Sequence, residues 1–183
     1  MPSLFERRAG GELWCTMHGA DAEVLAFLAD GLGERLSLDS PEDAEVFDRL
    51  FPRAFLDPTE EAAAREWDSF VRPDLVRGKA SALARLSKAM RSASPVGGSG
   101  QMVTTRLDDD DVEAWLTALN DLRIDLGTRL GVSEDLDPAA VDPDDPDAPW
   151  WSVYTFLTWC QGMLVEVLLG GAADDGEAVS RGA

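Results

Sequence analysis

Histidine is nearly missing from this chain: His18 is the single one among 183 residues. Ferritin-like metal bundles need Glu-x-x-His pairs, zincins need two histidines on one helix, and serine or cysteine triads need a base. One histidine beside an expected strand end removes most of that chemistry, and His18 is read as structural or solvent-exposed. Cysteine is as scarce. Cys15 and Cys160 stand far apart, each in an aromatic setting ("LWCTM", "LTWCQG"). Two isolated thiols in a chain with no export signal read as reduced core residues. Positive charge is also short, with 16 Lys and Arg against 35 Asp and Glu, a formal net charge of −19. A surface that negative repels phosphates and anionic headgroups, so nucleic acid and membranes are not expected as partners. "GGSG" lacks the following Lys-Ser/Thr of a phosphate-binding loop. The opening "MPSLFERRAGGELW" has no apolar core before a small-residue cleavage site, so the expected location is the cytoplasm.

What is present is a core. Hydrophobic residues make up 45% of the chain, and its length suits a single domain. The apolar spacing predicts an all-α, α-dominated domain of about six helices over 1–170, with a disordered tail at 171–183. "ELWCTM" (12–17) and "MVTTRL" (102–107) are expected to pair as a two-stranded β ribbon. "DAEVLAFLADGLGERL" (21–36) places Val24, Leu25, Leu28, Leu32 and Leu36 at helical steps. Ser40-Pro41-Glu42-Asp43 and Asp57-Pro58 each read as a helix start. The second of these helices is expected to run to Val71 and to break at Arg72-Pro73. The next, about 74–92, carries Val76, Ala80, Leu83, Leu86 and Met90 on one face and Arg77, Arg85, Lys88 and Arg91 on the other. "SASPVGGSGQ" (92–101) reads as a flexible linker. "DDDD" (108–111) charges the N-terminus of a long helix that Gly131 stops. An acidic, proline-broken loop follows at 133–149, then a nearly all-apolar helix from Trp150 to Leu169.

Three groups of polar residues invite function. Glu42, Glu45 and Asp48 stand at three-residue steps, a pattern that some all-helical, magnesium-dependent hydrolases use to hold metal. Such enzymes need a second acidic pair on a facing helix, and no clear ExxE or ExxD follows, so chance spacing in an acid-rich chain is the preferred account. The basic face of 74–92 suits nucleic acid, but the field of the whole chain opposes it, and internal pairing is the simpler reading. The third group lies on "WLTALNDLRIDLGTRLG" (115–131). Val112, Trp115, Leu116, Leu119, Leu122, Leu126 and Leu130 form one apolar stripe with Arg123 inside it, and Asn120 and Gly127 sit at its edge. A guanidinium there requires a partner, since an uncompensated buried charge costs several kcal/mol. The expectation for Arg123 is burial beside a carboxylate from another helix. Arg129, four residues after Asp125, is expected to form an exposed pair.

The helix over 150–170 raises a different question. Its length approaches a membrane span, yet Glu166, Gln161 and four hydroxyl side chains interrupt it, and no Lys or Arg lies between 130 and 180. As a soluble helix it puts Trp150, Val153, Leu157, Cys160, Leu164 and Leu168 toward the core. The opposite side presents Thr155, Thr158, Trp159, Gly162, Val165 and Glu166, small residues beside one large aromatic. That surface suits close approach by a second helix, from the chain itself or from a second copy.

The segments "LFPRAF", "DPTEEAAAREW", "VRPDLVRGKASALARL", "AWLTALNDLRIDLGTRLGVSEDLD" and "YTFLTWCQGMLVEVLLG" occur in that order. Together they resemble an actinobacterial family of small helical proteins known as a domain of unknown function, whose genes often lie beside that of the Clp protease adaptor ClpS. The likeness spans nearly the whole chain, and Cys160 departs from the plain apolar residue more usual there. It implies a small cytoplasmic helical protein and supplies no activity. The reading taken from these residues is a non-enzymatic, self-associating interaction or regulatory protein, a homodimer without cofactor or metal. Asn120, Arg123 and Gly127 are its buried polar or ligand candidates. The alternatives are a magnesium-dependent hydrolase on Glu42, Glu45 and Asp48, and a nucleic-acid-binding regulator on the basic helix.

Overall fold

The computed structural model describes residues 4–38, 41–53, 58–98, 100–133 and 144–180. Alternation builds the first elements. Leu13, Cys15 and Met17 are buried while Trp14 and Thr16 are half-buried, the period of two that a strand with one covered face requires. This strand, β2 (Leu13–His18), pairs antiparallel with β1 (Phe5–Arg7) across a turn whose Gly10 and Gly11 adopt φ of 94° and 82°. Such angles suit glycine alone without strain. On its other edge β2 pairs antiparallel with β4 (Met102–Leu107), Thr16 opposite Thr104 with their hydroxyls 2.9 Å apart. The short β3 (Ser94–Val96) completes a four-stranded sheet of order β1-β2-β4-β3.

Five α-helices cover this sheet and one another: α1 (Gly19–Leu38), α2 (Ala44–Leu50), α3 (Glu61–Arg91), α4 (Asp109–Arg129) and α5 (Ala148–Ser180). Leu25, Leu32 and Leu36 of α1 meet Leu83, Leu86 and Met90 of α3 in a core that also takes in Leu119 and Leu122 of α4 and Leu157 and Leu164 of α5. Trp115 of α4 is fully buried, its ring edge-on to Phe5 of β1 at 6.0 Å between centroids. Helix α4 starts on a capping box. Asp108 accepts from the Asp111 backbone N–H at 2.8 Å, and Asp111 accepts from the Asp108 N–H at 3.2 Å. It stops at Gly131 (φ 66°), where the Val132 N–H returns to the Gly127 carbonyl at 2.8 Å.

The expected break at Arg72-Pro73 is absent, since Pro73 lies inside a continuous α3, which makes five helices where about six are expected. A proline removes one hydrogen bond, to the carbonyl four residues back. The half beyond it is anchored by Leu83, Leu86 and Met90 in the core, so the loss is local. The sheet has four strands where two are expected, because β1 and β3 add to the edges of the predicted pair, β3 within the segment read as a linker. The cap positions Ser40 and Asp57, and most of the acidic loop (134–143), lie outside the described residues. Helical backbone continues past Gly170 to Ser180, in the segment read as a tail.

Candidate functional site

Among the described residues Arg123 does not meet a carboxylate. It is half-buried at the seam of α4 and α5, where its Nε donates to Thr158 Oγ1 at 3.1 Å and an Nη donates to Gln161 Oε1 at 2.5 Å. Its guanidinium carbon lies 5.9 Å from the centre of the Tyr154 ring. The expectation of a buried ion pair is therefore corrected: neutral acceptors and an aromatic face hold the charge, and partial exposure keeps it hydrated. The three ligand candidates share one cleft of about 240 Å³ with Arg49, Val132 and Tyr154. Asn120 is exposed beside it. Gly127 is buried, and a Cβ there would stand 3.1 Å from Tyr154 Cε2. The missing side chain lets the Tyr154 ring seat across α4.

The buried charges of α4 are its aspartates. Asp121 is fully buried, with Oδ1 accepting from Lys79 Nζ of α3 at 2.7 Å and Oδ2 buried without a partner among the described residues. Burial pushes its pKa above the usual carboxylate range, with Lys79 pulling the other way. Asp125 joins a four-membered ion cluster with Arg35 of α1, Arg129 of α4 and Asp43, which leads into α2. Arg129 Nε donates to Asp125 Oδ1 at 2.8 Å, Arg35 bonds to Asp125, Arg129 bonds to Asp43, and Arg35 Nε stands 3.4 Å from Asp43 Oδ1. Burial works against the Arg129 charge, yet Asp125 and Asp43 together hold its pKa above the ordinary arginine value. The cluster sums to zero charge and joins three elements as a structural brace. Arg129 thus does more than the exposed pair expected of it. Its partner Asp43 comes from 86 residues away.

The basic face of α3 is neutralised from within. Arg85 Nε donates to Asp111 at 3.0 Å and its Nη to Asp108 at 3.3 Å, Arg91 pairs with Asp30, and Arg77 pairs with Asp74, which leaves Lys88 exposed. Glu42, Glu45 and Asp48 are all exposed, and Glu45 pairs with Arg49 at 3.3 Å. Among the described residues no group of three or more His, Cys, Asp or Glu side chains converges as a metal site. His18 is exposed and its Nδ1 accepts from the Ala20 N–H at 3.3 Å, at the start of α1. Both cysteines are free and buried. Burial pushes the Cys160 thiol up to about 12 and that of Cys15 higher still, so neither is a reactive thiolate.

The outer face of α5 is the other notable surface. Thr155, Thr158, Trp159, Gly162, Val165 and Glu166 are all exposed, Trp159 by 50%. Trp159 leans on Phe156 at 6.2 Å between ring centres, and a Cβ on Gly162 would meet open space. The stretch Ala148–Gly170 is long and apolar enough to cross a membrane, and only 17% of its most apolar window is buried. Glu166 is its single charged residue.

Fold and surfaces together define an α-dominated protein with a small antiparallel sheet, two polar clusters tied up in structure, and two open features on α4 and α5. The chain belongs to the family described as "Domain of unknown function (DUF2017)", whose model matches residues 2–168. Over 64 residues, 35% of this chain, it is 39% identical to the oxidative stress regulator AosR of Mycobacterium bovis and of Mycobacterium tuberculosis. That stretch spans 29% of those relatives' length. No solved structure matches.

Proposed function

We propose that this chain is a non-enzymatic regulatory protein of the cytoplasm that acts through protein contacts as a homodimer, its copies meeting on the outer face of α5 with Trp159 near the centre. The observation that carries this reading is the mismatch on α5: an apolar helix, one charge in 23 residues, with 17% of its most apolar window buried. Tryptophan is enriched at interface hot spots, and a two-fold seam is the commonest way for a soluble chain to cover such a face. With Glu166 as the one charge, two copies approach there with less local repulsion than a net −19 imposes elsewhere. The partial relatives' description as an oxidative stress regulator fits the regulatory half of the reading. Buried, weakly acidic thiols favour control by contact over thiolate chemistry.

Light scattering tests it. The expected mass at micromolar concentration is twice the 19.8 kDa of the chain, falling to one chain in Trp159→Glu. A monomeric mass in both proteins overturns the reading. Recovery of the wild-type chain with lipid vesicles instead of in solution would assign the same face to a membrane.

A further inference from the structure

We propose that the cleft at the α4–α5 seam is a carboxylate-binding site built on Arg123. The inference goes beyond self-association, and binding of a free acid does not depend on it. In this acid-rich chain Arg35, Arg85, Arg91, Arg106 and Arg129 each hold a carboxylate in ion-pair range. Among the described residues Arg123 is instead held by two neutral side-chain oxygens, Thr158 Oγ1 and Gln161 Oε1, over the Tyr154 ring. A guanidinium has five N–H donors in a fixed fork, so these contacts fix its plane and leave donors unassigned. An oriented cation with spare donors at the wall of a cleft is what a carboxylate or phosphate binds in bidentate fashion.

The rest of the cleft narrows the ligand. Arg49 supplies a second guanidinium, and its 3.3 Å pairing with Glu45 is largely in water, where such pairs are worth little and exchange readily. Asn120 brings an amide to the mouth, and Val132 with the Tyr154 ring offers apolar wall for a short stem. A volume of about 240 Å³ lies below the ~300 Å³ from which pockets for drug-sized ligands start, which favours a small ligand. The surrounding field of a −19 protein penalises a dianion more than a monoanion. What remains is a single carboxylate on a short aliphatic or aromatic stem. It comes either from a free small acid or from Glu166 of a second copy, since Glu166 shares the exposed face of α5 with Thr158, the residue that anchors Arg123.

Ligand-observed NMR with hexanoate and benzoate, and with hexanol and inorganic phosphate as controls, tests this on wild type, Arg123→Leu, Arg123→Lys and Glu166→Gln. Light scattering of the same samples records oligomeric state separately, so a monomer that binds acid leaves this site standing while ending the dimer. The expected result is binding of both acids to wild type, neither control binding comparably, with a loss of roughly tenfold or more in Arg123→Leu. Arg123→Lys, which keeps charge and loses the fork, falls between, and keeps the test valid if the leucine variant does not fold. Acid binding to wild type identifies a free acid as the source; binding that appears only in Glu166→Gln identifies the second copy's carboxylate. No acid binding in either protein, phosphate or hexanol binding as well as the acids, or undiminished binding in a folded Arg123 variant overturns the proposal.

Discussion

Replacing Lys79 by methionine removes the counter-charge of a carboxylate that has no other partner among the described residues. Asp121 is fully buried in α4, its Oδ1 bonded to Lys79 Nζ at 2.7 Å and its Oδ2 already without a partner among the described residues. Lys79 is itself mostly covered, its side chain 20% exposed, so water does not replace it easily. Breaking a buried pair by removing one member costs about 3–5 kcal/mol, because the remaining charge is stranded. For a chain of this size that shifts the melting temperature by on the order of 10 °C. Burial already raises the Asp121 pKa above the usual 3.8, and losing Lys79 raises it further. The sign follows: a group whose folded pKa lies above its unfolded value binds its proton more readily when folded, so folding gains as pH falls through the folded pKa. The Lys79→Met deficit is therefore largest at pH 7 and shrinks as pH falls toward 4. Adding Asp121→Leu to Lys79→Met should restore most of the loss at pH 7, since a buried pair exchanged for apolar residues is often neutral. Urea denaturation followed by far-UV circular dichroism measures all three proteins. A Lys79→Met loss under about 1 kcal/mol, or one that stays constant from pH 7 to pH 4, would refute the stranded-charge argument.

Other expectations follow from the same geometry. Asp108→Ala removes half of the α4 capping box. The Asp111 backbone N–H, with Arg85 adding, holds the Asp108 pKa below its ordinary value, so its stabilisation is present above the unfolded pKa and is lost as pH falls through the folded one. The variant should melt lower than wild type at pH 7 and match it in strong acid; an equal difference at both would point away from the charge. Asp125→Ala leaves Arg35 and Arg129, both partly exposed, sharing Asp43 alone and should cost about 1.5–3 kcal/mol, read by urea titration, whereas Arg49→Ala, whose pair with Glu45 lies in water, should cost less than about 1 kcal/mol. Neither cysteine should react with a thiol reagent at pH 8 until the chain unfolds, since both are buried and the Cys160 thiol is pushed up to about 12; rapid labelling of the folded chain would show an open core.

Periodicity made the frame of the fold legible. The alternation in "LWCTM" and the β-compatible "MVTTRL" identify the strands that pair in the sheet, as β2 and β4. The apolar steps of 21–36 and 150–169 locate α1 and α5. Pro73 misled because proline reports a local cost, while the continuity of α3 is decided by tertiary packing beyond it. Arg123 misled for a related reason. Large apolar residues alone set its stripe, but the buried arc of α4 also contains Ala118, Asp121 and Asp125, so its centre turns toward them and Arg123 moves to the rim. Charged residues count against burial in any hydropathy reading, and Asp121 and Asp125 are buried only because Lys79, Arg35 and Arg129 arrive from other elements or other turns. Beyond the local Asp125–Arg129 pair, the Arg35–Asp43–Asp125–Arg129 brace joins positions 8 to 90 residues apart, and no local pattern announces those links.

The open surfaces behave differently. The outer face of α5 was readable because apolar and small residues on the side away from the core need no long-range knowledge to stand out. What covers that face is the central matter, and sedimentation equilibrium of the wild-type chain over a micromolar dilution series addresses it most directly. The expected mass approaches twice 19.8 kDa as concentration rises, with Trp159→Glu staying at one chain throughout. A wild-type mass of one chain at every concentration would contradict it.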